Sequence, residues 1–264
     1  MALPIRDGLP TRRFPWITLV LMVINVVVFL FIQPSAFQNP PDADRENYYQ
    51  EYQRQLDAEE FSARWGAVPC ELLSGDSVAS QPDQCTDISY GPGAEGKSVY
   101  LALLTAMFLH GGLLHLVSNM LFLWVFGNNV EDRLGRASYL GVYLIGGVLA
   151  TFGYVAFNSH LGGPMIGASG AIAAVMGAYF VFHPRARILT MIATAAFQIV
   201  YVPAAVVLAL FFVTQLFFTA DEYVAWEAHV AGMVAGAIMA LMIRLVPAFR
   251  RRNGTAQPAM PSSF

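Results

Sequence analysis

Charge is what this chain has least of: Asp, Glu, Lys and Arg make up 12% of its 264 residues, against 56% hydrophobic. Soluble domains carry about 25% charged residues, so a water-facing globular surface is excluded and a lipid bilayer becomes the expected solvent. The formal net charge is only −3, and no run of Lys and Arg interleaved with aromatics is present, which excludes the usual footprint of nucleic-acid binding. Cysteine is nearly absent, with two residues in the whole chain. There is no internal repeat, low-complexity tract or separate water-soluble catalytic domain, so any chemistry has to sit on the membrane-embedded segments.

What is there is a series of long apolar runs. A hydrocarbon core of about 30 Å needs roughly 20 apolar helical residues to cross it. Six runs qualify, 14–32, 99–126, 138–157, 166–182, 188–218 and 228–246, and they predict an all-α bundle of six transmembrane helices. The fifth is longer than one crossing needs and contains Gln198 and Pro203, which puts its first part in the membrane interface. Basic residues mark the cytoplasmic side of short loops. Arg6, Arg12 and Arg13 precede the first run, Arg133 and Arg136 follow the second, Arg185 and Arg187 follow the fourth, and Arg244 and Arg250 to Arg252 follow the sixth. Both ends are therefore expected in the cytosol, with the first run retained rather than cleaved as a signal. A bacterial-type cytoplasmic membrane is the expected location.

The expected organisation is a cytoplasmic stretch 1–13, a first span 14–32, an extracytoplasmic loop 33–98, a core 99–246 holding spans two to six, and a cytoplasmic tail 247–264. Within the loop, 42–65 is free of proline and spaces Tyr48, Tyr52, Leu56 and Phe61 for one face of an amphipathic helix. Cys70 and Cys85 both fall in this loop, where an oxidising compartment would let them pair.

Polar groups inside apolar spans are costly, and each is either functional or a satisfied packing contact. His115 and Asn119 stand four apart, on one helix face, with His110 rotated away from them. Such a pair can bridge helices, ligate a metal or serve catalysis. The fourth run opens Gly167-Ala168-Ser169-Gly170. A serine beside glycine in a membrane helix commonly packs. At a helix start, however, free N–H groups and the positive end of the dipole favour a developing anion. The sixth run carries His229 with Gly232 and Gly236 at a spacing of four, a smooth strip on which another helix can sit. If that helix is the fourth, His229 approaches Ser169 and can take its hydroxyl proton. His115, Asn119 and the Ser169 N–H are then candidate donors to an oxyanion.

Taken together these motifs resemble the rhomboid intramembrane proteases, which carry His-x-x-x-x-His-x-x-x-Asn, Gly-x-Ser-Gly and Ala-His-x-x-Gly-x-x-x-Gly in this order. Gly127 to Gly135, with its Gly-x-x-x-Glu-x-x-x-Gly pattern, and Trp65-Gly66-Ala67-Val68-Pro69 look like further family segments. The resemblance covers roughly Trp65 to Val246 and the first span. It implies an intramembrane serine endopeptidase that needs no cofactor and cuts transmembrane protein substrates in or near the lipid bilayer. Ser169 would be the nucleophile and His229 the base, with His115 and Asn119 lining the oxyanion site. His110, Gly167, Gly170, Gly232 and Gly236 would support them, and Glu131 and Arg133 would hold the connection between the second and third spans. The fifth span, with Phe217 and Phe218 near its outer end, and the following loop Thr219 to Glu227 would form a lateral gate and cap. One departure stands out: some members place an aromatic four residues after the nucleophile, against the catalytic imidazole, where this chain has Ala173.

Two other classes compete. A catalytically inactive rhomboid-like protein would bind membrane clients without cutting them, although such relatives lose the serine or the histidine. A transporter or metal-binding protein could use His110, His115 and His229 as ligands, but the spans hold almost no carboxylate or thiol to join them.

Overall fold

Helix α7, Ser169–Phe182, is buried on every side from Ala171 to Tyr179, as expected of a helix that is apolar all round. It is the axis of the fold. In the computed structural model, which describes residues 2–34, 45–78, 85–86, 96–193, 197–218 and 225–246, the other elements are arranged about it. They are strand β1 (Ala2–Asp7), α1 (Trp16–Val27), α2 (Arg45–Trp65), α3 (Pro69–Ser74), α4 (Val99–Thr105), α5 (Leu113–Leu134), α6 (Arg136–Asn158), β2 (Arg187–Ala193), β3 (Phe197–Pro203), α8 (Ala204–Phe218) and α9 (Trp226–Leu245).

Small residues bring the helices together, because a missing side chain lets backbones approach closely. A Cβ on Gly236 would run into the Ala174 carbonyl, and one on Gly232 into the Gly170 carbonyl, so α9 lies directly on the α7 backbone. On the α6 side, Gly146 fits over Ala174 and Gly153 over Ala231. The outward faces stay apolar: Val23, Phe31, Ile145, Phe157, Val234 and Leu245 are all exposed. Helices α5, α6 and α9 are long and apolar enough to cross a membrane, and Trp16–Ile32, Val99–Phe108, Ser169–Phe182 and Ala204–Val213 are shorter apolar helices.

The architecture departs from an all-α bundle in one respect. The run 188–218 is not one helix but an antiparallel hairpin, β2 with β3, followed by α8, and β1 adds to β2 to give a three-stranded sheet of order β1-β2-β3. Burial of Ile188 and Thr190 on one face gives β2 a period of two. Pro203, which has no N–H to donate, ends the hairpin where α8 begins at Ala204.

The run 99–126 is likewise divided. Helix α4 tightens into a 3₁₀ turn at Ala106–Phe108, the chain breaks over Leu109 to Gly112, and α5 starts at Leu113. At its other end α5 continues through Leu134, so the segment expected to be the connection, with Glu131 and Arg133, is helical and only Gly135 (φ 82°) separates α5 from α6. Glu131 instead caps α1: its carboxylate accepts from the N–H of Ile17 (3.0 Å) and of Thr18 (2.8 Å) and from the Thr18 hydroxyl (2.8 Å), satisfying donors that a helix start leaves open. The Arg133 guanidinium lies over the Phe182 ring, tying α5 to the end of α7.

The segment before α4 is fastened to the start of α7. Ala67 and Met165 exchange backbone hydrogen bonds of 3.0 and 2.8 Å. A Cβ on Gly66 would stand 2.5 Å from the Ser62 carbonyl oxygen and 2.9 Å from Pro164, which explains the glycine. A disulfide joins Cys70 and Cys85. Glu71 and Lys97 form a buried ion pair at 2.5 Å, and Lys97 also donates to the carbonyls of Ala63 and Gly66. In α2, Tyr52 and Leu56 are exposed and Phe61 is half-buried, while the Tyr48 side chain lies outside the described residues, so the face expected to be amphipathic is only partly covered where it is described. Residues 35–44, 87–95, the 219–224 part of the expected gate and cap, the side chains of Phe217 and Phe218, and the tail 247–264 lie outside the described residues.

Candidate active site

The start of α7 is built by its neighbours. Gly167 donates to the Ala106 carbonyl at 2.8 Å, hooking the approach to α7 onto the 3₁₀ turn. Its φ of 130° is a left-handed value that glycine adopts freely. A Cβ there would also press on the His115 ring, 2.9 Å from Cε1 and 3.0 Å from Nε2, and lie 3.7 Å from Ser169 Oγ. His115 and Ser169 thus flank the space that Gly167 keeps open. The first bond into the helix runs from Ile172 N–H to the Ala168 carbonyl, so the N–H groups of Ser169, Gly170 and Ala171 precede the helical ladder.

Close contact between α7 and α9 brings the two candidate reactive groups together. His229 Nε2 lies 2.7 Å from Ser169 Oγ, and the imidazole is only 5% exposed. With the ring proton on Nδ1, the hydroxyl donates to Nε2, the arrangement in which an imidazole takes up a serine proton. Gly170 lies where α6 joins this contact: a Cβ on it would meet Ala150 of α6 at 2.7 Å, and its carbonyl is the atom that a Cβ on Gly232 of α9 would strike.

The ring of His229 is backed by Phe211 of α8, centroid to centroid 5.8 Å. Ala173, four residues beyond Ser169, is fully buried in the core and presents no aromatic. Sequence reasoning missed Phe211: it lies on a different helix, in a run of apolar residues with no spacing that singles it out.

Helix α5 supplies the polar residues opposite. His115 sits in its first turn, partly exposed, and accepts a hydrogen bond at Nδ1 from the Gly111 N–H (3.3 Å). Asn119 is one turn further along the same face, 6% exposed, and among the described residues its Nδ2 has no acceptor. His110 is 1% exposed and does not reach Ser169. Its ring packs edge-on against His115 (5.1 Å) and Phe29 (6.4 Å). Gln33 is the other residue the sequence did not single out, and its amide bonds both backbone groups of His110. Among the described residues no three His, Cys, Asp or Glu side chains converge as metal ligands.

The bundle and its apolar exterior define an integral, multi-pass helical membrane protein. It belongs to the rhomboid family: the Rhomboid domain model matches residues 97–245, more than half the chain. Similar proteins include the mitochondrial presenilin-associated rhomboid-like protein A of Danio rerio, 37% identical over 94 residues, 35% of this chain and 24% of that protein. Rhomboid protein 1, mitochondrial, of Saccharomyces cerevisiae is 32% identical over 96 residues, 35% of this chain and 28% of that one. Rhomboid protease GluP of Bacillus subtilis is 35% identical over 102 residues, 38% of this chain and 20% of that one. The chain therefore spans only about a quarter of the length of the curated relatives it matches.

Proposed function

We propose that this protein is an intramembrane serine endopeptidase that cleaves transmembrane protein substrates. The observation that carries the reading is the 2.7 Å approach of Ser169 Oγ to His229 Nε2. In the first step Ser169 Oγ attacks the scissile carbonyl carbon and its proton passes to His229. The imidazolium then gives that proton to the leaving amine. Water, deprotonated by the same ring, hydrolyses the acyl-enzyme and restores the serine. Charge on the carbonyl oxygen is met by His115 Nε2–H, the Asn119 amide and the Ser169 N–H. Such donors are worth most in a site shielded from water.

Six elements serve as crossings in this reading: α1 with its final turn, α5, α6, α7, α8 and α9. The start of α7 faces the extracytoplasmic side and the sheet the cytoplasm, in line with the positions of the arginines. Fourteen residues make α7 about 21 Å long, short of a hydrocarbon core of about 30 Å. Ser169 is therefore recessed, and an extended substrate segment reaches it more readily than an intact helix, whose carbonyls are already bonded. The loop with the Cys70–Cys85 disulfide lies outside, and the catalytic core occupies 99–246.

Ser169→Ala should reduce cleavage of a reporter transmembrane substrate to background while leaving expression and membrane insertion intact, and His229→Ala should match it. Covalent labelling by a fluorophosphonate, present in the wild type and lost in Ser169→Ala, reads the same nucleophile without a substrate. A client-binding protein without activity, or a histidine-lined transporter, would show neither cleavage nor labelling.

A further inference from the structure

Helix α1 ends in an unusual way that bears on the oxyanion site. Its last turn, Val28–Ile32, is a π turn, closed by the Gln33 N–H on the Val28 carbonyl at 2.9 Å, a distortion often found beside functional sites. It delivers Gln33 to the break between the 3₁₀ turn and α5, where backbone groups have lost their helical partners. There the Gln33 carbonyl accepts from the His110 N–H at 2.9 Å, and its amide donates to the His110 carbonyl at 3.1 Å. Phe29, four residues earlier on α1, sets its ring edge-on against the His110 imidazole. His110 is thus gripped by its backbone and by its side chain.

The residue after it, Gly111, donates to His115 Nδ1 at 3.3 Å. A neutral imidazole that accepts at Nδ1 carries its proton on Nε2. Nε2 is also the nitrogen that faces the space kept open at Gly167, a space that Ser169 Oγ lines as well. We infer that Gln33 is a positioning residue for the oxyanion site: its paired bonds to the His110 backbone hold the Gly111 N–H on His115 Nδ1 and keep the Nε2–H facing the reacting carbonyl. The inference rests on the reading of His115 as an oxyanion donor. It assigns the end of α1, distant in sequence from every catalytic candidate, a part in the chemistry.

The test is the tautomer of His115 in the full-length protein in lipid nanodiscs, labelled with ¹⁵N-histidine and read by long-range ¹⁵N–¹H correlation. The chain has five histidines, and His115→Gln identifies the signal. The wild type should show Nε2 protonated. Gln33→Leu, which removes both bonds, should give a mixture of tautomers and lower kcat for a reporter substrate about tenfold to a hundredfold with KM within about twofold, as expected of a misplaced donor. Gln33→Glu, which keeps the acceptor for the His110 N–H, should fall between the two. A wild-type His115 protonated at Nδ1 would overturn the inference, as would a Gln33→Leu protein with an unchanged tautomer and unchanged kcat. Should Gln33→Leu fail to fold, the wild type and Gln33→Glu decide the matter. The spectrum needs no substrate, so cleavage that survives in Ser169→Ala would refute the protease reading and leave this measurement standing.

Discussion

At the sheet end of the bundle the buried Glu131 carboxylate accepts three hydrogen bonds from the start of α1, and Asp7 takes bonds from Asn129 and from the Tyr179 hydroxyl. At the Ser169 end, Asn119 is just as buried, yet its Nδ2 has no acceptor among the described residues, and the first N–H groups of α7 precede its ladder. Both ends place polar groups where burial is expensive. A group whose bonding is complete holds elements together, and in the proposed protease reading the open Asn119 donor would meet the charge that develops during reaction.

The sharpest way to break this comparison is to remove one open donor. Asn119→Ala should lower kcat by about 10² to 10³, the usual cost of one oxyanion donor, while leaving KM and the unfolding temperature nearly unchanged. Steady-state cleavage with a thermal unfolding scan reads both quantities. A variant with normal kcat and reduced stability would move Asn119 into the structural class. Next in size is the opposite substitution. Glu131→Ala leaves the Ile17 and Thr18 donors without their acceptor and should cost about 2–3 kcal/mol of stability, with turnover per folded molecule within about twofold of the wild type. Loss of turnover in protein that is still folded would show that the two ends are not separable.

The difference between the ends also explains what was legible in the sequence. His115, Asn119, Ser169 and His229 stood out because each is a polar side chain in an apolar run, and the Gly232 and Gly236 strip foretold the close approach of α9 to α7. The break before α5 was not foreseen, although Gly111 and Gly112 stand in it, since apolar residues on both sides made 99–126 read as one helix. The sheet was hidden for a related reason. Residues 188–203 are as apolar as a span, and the period-two burial of Ile188 and Thr190 is too short a pattern to compete with overall hydropathy. Partner β1 is far away in sequence, so nothing local announces the pairing. Gln33 and Phe211 act through contacts across the fold, with His110 and His229 respectively. Glu131 was expected to hold a loop, whereas it caps a helix that begins more than a hundred residues earlier.

Asp7 gives the finest test of the structural end. Burial pushes its carboxyl up to about 6 from the ordinary 3.8, against the opposing influence of the Tyr179 hydroxyl and of Arg6. The folded protein therefore binds a proton at Asp7 over a range in which the unfolded chain does not, and this group adds stability as pH falls through 6 and stops adding below about 4. His183, whose ring lies 5.1 Å from Tyr179, works in the other direction. Burial brings its pKa down to about 4, so below 6.5 the unfolded chain takes up the proton and stability is lost as pH falls toward 4. The two groups oppose one another over nearly the same window, and the pH profile of the wild type alone conceals both. Asp7→Asn, which resembles the protonated acid, isolates the first. Equilibrium unfolding in mixed micelles should show the stability of the wild type relative to Asp7→Asn rising by about 1 kcal/mol as pH falls from 7 to 5. A difference that stays flat would mean that Asp7 is ionised throughout, with Asn129 and Tyr179 compensating its charge fully rather than merely occupying its lone pairs.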